Sequence, residues 1–223
     1  GDFHHFSGLL LEQFDEPLTV ISFDNHPDWD IRWPKLGYGS WVKYVLSRPN
    51  IKTVILLGMS NWDISTGALQ FGYLKSLETK RLEIYPYCQK PSYTFLKNVS
   101  RNNPCIKVED KGLLRKITWR QLKDQTFQEL FKELLSRIST SQVYVSLDKD
   151  CLSTDYALTN WEPGQMSLPE ILEFLKMIKG NLDIVGMDIT GDYSYPRIEG
   201  MVNNLLYKSD HPSLKTSPVF SLP

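Results

Sequence analysis

Residues 18–28 read LTVISFDNHPD, an apolar β-branched and aromatic run that ends abruptly in Asp24-Asn25-His26-Pro27-Asp28. A short run of this kind bounded by polar residues fits a strand buried on both faces. Lys52 to Leu57 (KTVILL) repeats the pattern before Gly58. Between the two, Ser40 to Arg48 carries Trp41, Val42, Tyr44, Val45 and Leu46 at helical spacing, and Pro49 stops the helix. The three segments make one β-α-β unit.

Outward from that unit, Arg81 to Tyr85 predicts a strand ended by Pro86, and Gln89 to Pro104, rich in Ser, Asn and Pro, predicts an irregular stretch or a small helix. Trp119 to Ile138 places Leu122, Phe127, Leu130, Phe131, Leu134, Leu135 and Ile138 on one helical stripe, and Val143 to Leu147 is the next strand. Ser167-Leu168-Pro169-Glu170 has the residues of a capping box, with the helix running to a stop at Gly180 and the strand Asp183 to Met187 after it. Strands alternating with helices imply an α/β fold, a three-layer αβα sandwich around a mostly parallel central sheet. The 223 residues are expected to form a single domain.

In such a sheet, ligands gather at the carboxyl ends of the strands. Asp24, His26 and Asp28 follow one strand and Asp148-Lys149-Asp150 follows another. An Asp after a strand is also a common turn former or helix cap. The joint pattern says more. Four carboxylates in one pocket would repel one another and raise their own pKa values unless a multiply charged ion compensated them. Three of the four histidines, His4, His5 and His26, fall beside Gly1 or within the Asp-rich loop, while His211 lies in a polar tail.

Composition narrows the partners. Lys plus Arg number 25 against 26 Asp plus Glu, a net charge of −1 that argues against nucleic acid. No stretch approaches the roughly 20 apolar residues of a membrane span. Cys88, Cys105 and Cys151 lack any paired spacing and fit a reducing, cytoplasmic setting. A small-molecule substrate is expected, and nothing excludes a homo-oligomer. Because Gly1 already falls inside a candidate motif with no strand or helix before it, an upstream segment is also expected.

FDNHPDWD resembles the Asp-Ala-His-x-Asp motif of the ureohydrolase superfamily, which includes arginase, agmatinase and formiminoglutamase. VSLDKDCLSTD resembles that family's Ser-x-Asp-x-Asp-x-x-Asp motif, Gly1-Asp2-Phe3-His4 its opening Gly-Gly-x-His, EPGQMSLPEIL its Pro-Gly-Gly-Leu region, and DIVGMDIT its last strand. The resemblance implies two divalent ions. His4, Asp24, Asp28 and Asp148 would hold one, and Asp24, His26, Asp148 and Asp150 the other, with His5 replacing His4 if the register slips by one. A carboxylate-rich set implies manganese, with zinc or iron as alternatives. The implied reaction is hydrolysis of a linear C–N bond (amidine, guanidino or amide) by a metal-bridging hydroxide. A noncatalytic metal-binding protein and a mononuclear zinc deacetylase-like enzyme remain the alternatives.

The chain departs from the family where the substrate reacts. A His-Gly pair is replaced by Tyr38-Gly39, and the guanidinium-binding Glu falls on Gly191 with Asp192 beside it. Strict arginase activity is therefore not expected. Asp150, Tyr38 and Asp192 are the candidates for catalytic work. Asp30, Trp161 and Glu162 are the candidates for substrate contact, with Trp29, Arg32 and Trp33 beyond the first metal motif.

Overall fold

The computed structural model describes residues 2–31, 36–95, 99 and 101–193. Gly1, Arg32, Trp33, His211 and the rest of the tail from Pro196 lie outside the described residues. In chain order the elements are α1 (His5–Leu10), β1 (Leu18–Phe23), α2 (Trp41–Leu46), β2 (Ile51–Leu57), α3 (Lys75–Glu78), β3 (Leu82–Tyr85), β4 (Ser92–Thr94), β5 (Ile106–Lys111), β6 (Leu114–Trp119), α4 (Phe127–Arg137), β7 (Gln142–Asp148), α5 (Leu168–Asn181) and β8 (Asp183–Thr190).

Five strands form one parallel sheet in the order β3-β2-β1-β7-β8. β1 is its central strand and all six of its residues are buried, as expected when helices cover both faces. Register fixes what comes next. Phe23 pairs with Leu57 on one side and Leu147 on the other, so the three strands end level and Asp24 emerges beside Asp148.

Side chains alternate across the strands. Ser146 and Tyr144 point to the layer of α1, meeting Ser7 and Phe14. Phe23 points to the other layer, where its ring meets Phe174 of α5 edge-on at 5.7 Å. Phe127 and Phe131 of α4 close on the same ring at 5.9 and 5.5 Å, geometry that adds to simple area burial. Helix α5 begins where the sequence predicts its cap. Thr126 with Glu129 and Ser167 with Glu170 form complete capping boxes.

Two expectations need correction. Trp119 does not open a helix; it ends β6, and the helix starts at Phe127. Ile117 and Trp119 are buried at a spacing of two, and the Trp119 indole donates to Ser92 Oγ at 2.9 Å, so strand periodicity prevails until Thr126 caps the helix. The stretch Gln89 to Pro104 contains β4, and β4-β6-β5 form a small antiparallel sheet joined through the two-residue turn Gly112-Leu113. Smaller shifts occur at the ends: α2 is shorter than Ser40 to Arg48, α5 runs through Gly180 to Asn181, and β8 continues past Met187 to Thr190. All three cysteines are free thiols.

Phe174 is fully buried and Leu172, on the same helix, is 46% exposed. Phe174→Ala is expected to lower unfolding free energy by about 3–5 kcal/mol, and Leu172→Ala by about 1 kcal/mol or less. Urea denaturation of the two variants checks the assignment of the core face.

Candidate metal centre

The level ends of β1 and β7 bring two groups of ligand atoms together. His4, Asp24 and Asp28 form one and Asp24, His26 and Asp150 the other, and within each the candidate ligand atoms lie within 4.8 Å of one another. His4 Nδ1 is 3.0 Å from Asp24 Oδ2, 3.0 Å from Asp28 Oδ2 and 3.3 Å from Asp148 Oδ2. Asp148 thus joins the first group. Asp24 faces both, since its Oδ1 lies 3.7 Å from His26 Nδ1, and His26 Nδ1 lies 3.1 Å from Asp150 Oδ2.

Local backbone explains how the ligands converge. Asp24 Oδ1 accepts the His26 amide at 2.8 Å, and Asp148 Oδ1 accepts the Asp150 amide at 3.1 Å. Each Asp therefore caps the turn that delivers the next ligand, and turn former and ligand are one residue. Asp28 sits at φ 44, a region that non-glycine residues rarely occupy, and this aims its carboxylate back at His4. The Trp41 indole fixes it there with a 2.7 Å hydrogen bond to Asp28 Oδ2.

His4 is anchored from behind. Ser146 donates to Asp188 Oδ1 at 2.8 Å, so its oxygen accepts from His4 Nε2 at 2.8 Å, and Tyr144 also donates to Asp188, at 2.7 Å. With Nε2 carrying a proton, Nδ1 faces the carboxylates.

The donor set fits a cation. Although they approach to 3.0 Å, His4 Nδ1 and Asp24 Oδ2 are not aligned as a hydrogen bond, and each is buried without a hydrogen-bond partner. Atoms that converge on a common point without pairing suit an ion placed at that point. The shifted pKa values reflect the same demand for positive charge. Burial alone would lower His4, but the charge of Asp24 outweighs it and raises the imidazole to about 9. Burial and then the charge of Asp24 push Asp28 up to about 6. Burial would raise Asp24 too, yet His4's charge and hydrogen bonding from His26 hold it below the usual carboxylate range. For His26 burial is likewise overcome, here by the charge of Asp150, and the imidazole is raised.

Other expected residues are placed as follows. His4, not His5, enters the cluster; His5 stacks on Phe6 at 4.6 Å. Trp161 meets His26 edge-on at 5.2 Å and Tyr38 at 5.4 Å, and Glu162 Oε1 lies 3.4 Å from His26 Nε2. Asp192 is 79% exposed and pairs with Lys149. Asp30 is bound through its backbone to Gly39 and bridges to Gly72, and Trp29 is buried. Gly191 has φ +81, and a Cβ there would stand 2.3 Å from Asp148 Oδ1. No side chain fits beside this ligand, which accounts physically for glycine at that position. Sequence reading missed Trp41, Ser146 and Asp188. Period-two alternation carried the signal for the last two, because Ser146 shares the face of Asp148 and pairs in register with Asp188.

A family model described as the arginase family matches residues 5–191. An uncharacterized protein of Thermotoga maritima is 23% identical over 193 residues, covering 86% of this chain and 55% of its own length. The chain thus spans little more than half of that curated relative. Among solved structures, the formimidoylglutamase from Bacillus subtilis is similar with a TM-score of 0.58 at 17% identity, over 96% of this chain and 58% of the other. Arginase from Bacillus caldovelox gives 0.55 at 16% identity, over 99% and 68%. Proclavaminate amidino hydrolase from Streptomyces clavuligerus gives 0.54 at 17%, over 95% and 59%. At these identities the likeness is one of fold. No helix among the described residues is long and apolar enough to cross a membrane.

The raised values give the pH dependence a definite sign. Asp28 at about 6 and His4 at about 9 both hold protons more tightly folded than unfolded, so their contributions to stability are present at low pH and lost as pH rises through each value. In EDTA the melting temperature is expected to fall in two steps between pH 4 and 9.5, as those two groups deprotonate. Saturating Mn2+ should largely flatten the upper step, since an ion replaces the proton at His4. Thermal melts across pH, with and without Mn2+, check this.

Proposed function

Because this chain belongs to the arginase family, we propose that it is a metal-dependent hydrolase cleaving a linear C–N bond, of amidine, guanidino or amide type, in a small molecule. The observation that carries the reading is the pair of buried ligand groups sharing Asp24 at the carboxyl ends of the central strands. His4, Asp24, Asp28 and Asp148 would hold one divalent ion, and Asp24, His26, Asp148 and Asp150 a second. Carboxylate-rich donors favour manganese, with zinc or iron as alternatives. Bound there, such ions lower the pKa of water and stabilise the negative charge of the transition state.

The chain's own groups supply the rest. Asp150 Oδ1 accepts the Asn25 amide at 3.2 Å, which leaves Oδ2 turned to His26 and the reacting centre. The Tyr38 ring lies tilted against Trp161, which itself meets His26, and the Tyr38 hydroxyl is the proton donor for the leaving nitrogen. Since Gly191 admits no side chain, carboxylate recognition of the reacting end falls to Glu162, beside His26. Asp30 is left for the nonreacting part of the substrate, and Asp192, exposed and paired with Lys149, would serve the reacting end only with its loop shifted. A cavity of about 470 Å³ lined by Ser60, Asn61, Trp62, Gln89 and Lys90 begins one hydrogen bond from the ligand loop, through Ser60 and Asn25.

Purified protein loaded with Mn2+ is expected to retain nearly two ions per chain by elemental analysis. Asp24→Ala and Asp148→Ala should lose metal together with hydrolysis of any active member of an amidine, guanidine and acyl-amide panel. Protein that binds no metal would sink the reading. Two ions without turnover would favour a noncatalytic metal-binding role, and one tightly held zinc a mononuclear enzyme.

A further inference from the structure

His26 lies between two carboxylates, one on each ring nitrogen. Asp150 Oδ2 is 3.1 Å from Nδ1 and Glu162 Oε1 is 3.4 Å from Nε2. Only Nδ1 belongs to the ligand group. A neutral imidazole has a single N–H, and the carboxylate that accepts it decides which nitrogen keeps a lone pair. If Asp150 accepts it, the lone pair points away from the ligand group. If Glu162 accepts it, the lone pair enters the group.

Glu162 is held where it can do this. Its carbonyl accepts the Asn25 side-chain amide at 3.0 Å, and Asn25 stands between the ligands Asp24 and His26. The Ser60 amide and hydroxyl donate to Asn25 Oδ1 at 3.0 and 2.8 Å. Two residues on, Gly164 donates to the Asp150 carbonyl at 2.6 Å, and a Cβ on Gly164 would stand 2.1 Å from the Cys151 carbonyl oxygen. The loop is thereby drawn against the turn that carries Asp150. Trp161, donating to Asp2 at 2.9 Å, lays its ring edge-on to His26.

We propose that Glu162 is the positioning residue of the His26 site: it accepts Nε2–H, fixes the tautomer and ring orientation, and so sets affinity for the second ion while leaving the first unaffected. The inference rests on the two-ion reading above. At the first site the same task falls to Ser146 and Asp188, both on strands. At the second it falls to a carboxylate on a loop, 33% exposed, which makes that ion the one whose binding the loop controls.

Calorimetric titration of the metal-free full chain with Mn2+ separates the outcomes. Relative to wild type, E162L is expected to weaken one ion about 10–100-fold and leave the other within about threefold. E162Q, whose carbonyl oxygen still accepts Nε2–H, should stay within about tenfold for both. A role limited to packing the loop would strike E162L and E162Q alike and would reach the His4 site through the Trp161–Asp2 contact. Equal losses at both ions, equal losses in both variants, or no loss in either would overturn the assignment. Wild type that binds fewer than two ions would instead overturn the two-ion reading itself.

Discussion

Asp24, Asp28, Asp148 and Asp150 meet two imidazoles at the carboxyl end of the central sheet, and none of the four carboxylates is more than 6% exposed. Burying that much like charge is unfavourable unless positive charge is supplied. Among the described residues the protons on His4 and His26 supply it, and the raised imidazoles and the raised Asp28 record how incompletely they do so. The surrounding framework exists to hold this arrangement. β1 must be buried on both faces so that its end is rigid, the strands must finish level, and Trp41, Ser146 and Asp188 must occupy the directions from which a ligand could otherwise turn away.

The strand-end chemistry was legible in the sequence because it is local. Each apolar run stops within one residue of its first ligand, and alternation along an extended segment tells which side chains share a face. The capping box at Ser167 is equally local, and its helix begins where that residue places it. What was not legible depends on pairing between distant segments. Trp119 reads as part of a helical stripe until Ser92 and β5 are beside it. Asp188 looks like one polar interruption in a short strand until register places it opposite Ser146 and behind His4.

Gly191 illustrates a limit of motif comparison. Aligned against the family, it reads as the loss of a substrate-binding Glu. In the fold it is a glycine pressed on a ligand carboxylate, with a left-handed backbone and no room for a Cβ. Restoring a Glu there would displace Asp148 before it could meet a substrate. A Glu at this position could therefore meet a substrate only if the β8 end were arranged differently.

The division between strands and loops follows from these packing constraints. Candidate ligands at strand ends inherit their precision from the sheet, whose hydrogen-bond register cannot slip by one residue without turning every side chain to the opposite layer. Tyr38, Trp161 and Glu162 stand on connecting segments, and loops tolerate changes in length and composition that a buried strand does not. A chain built this way can keep two buried groups of candidate metal ligands while changing what faces their open side. The groups that choose a substrate lie on the side least constrained by the fold, so the fold and the ligand pattern specify a chemistry without specifying the molecule on which it acts.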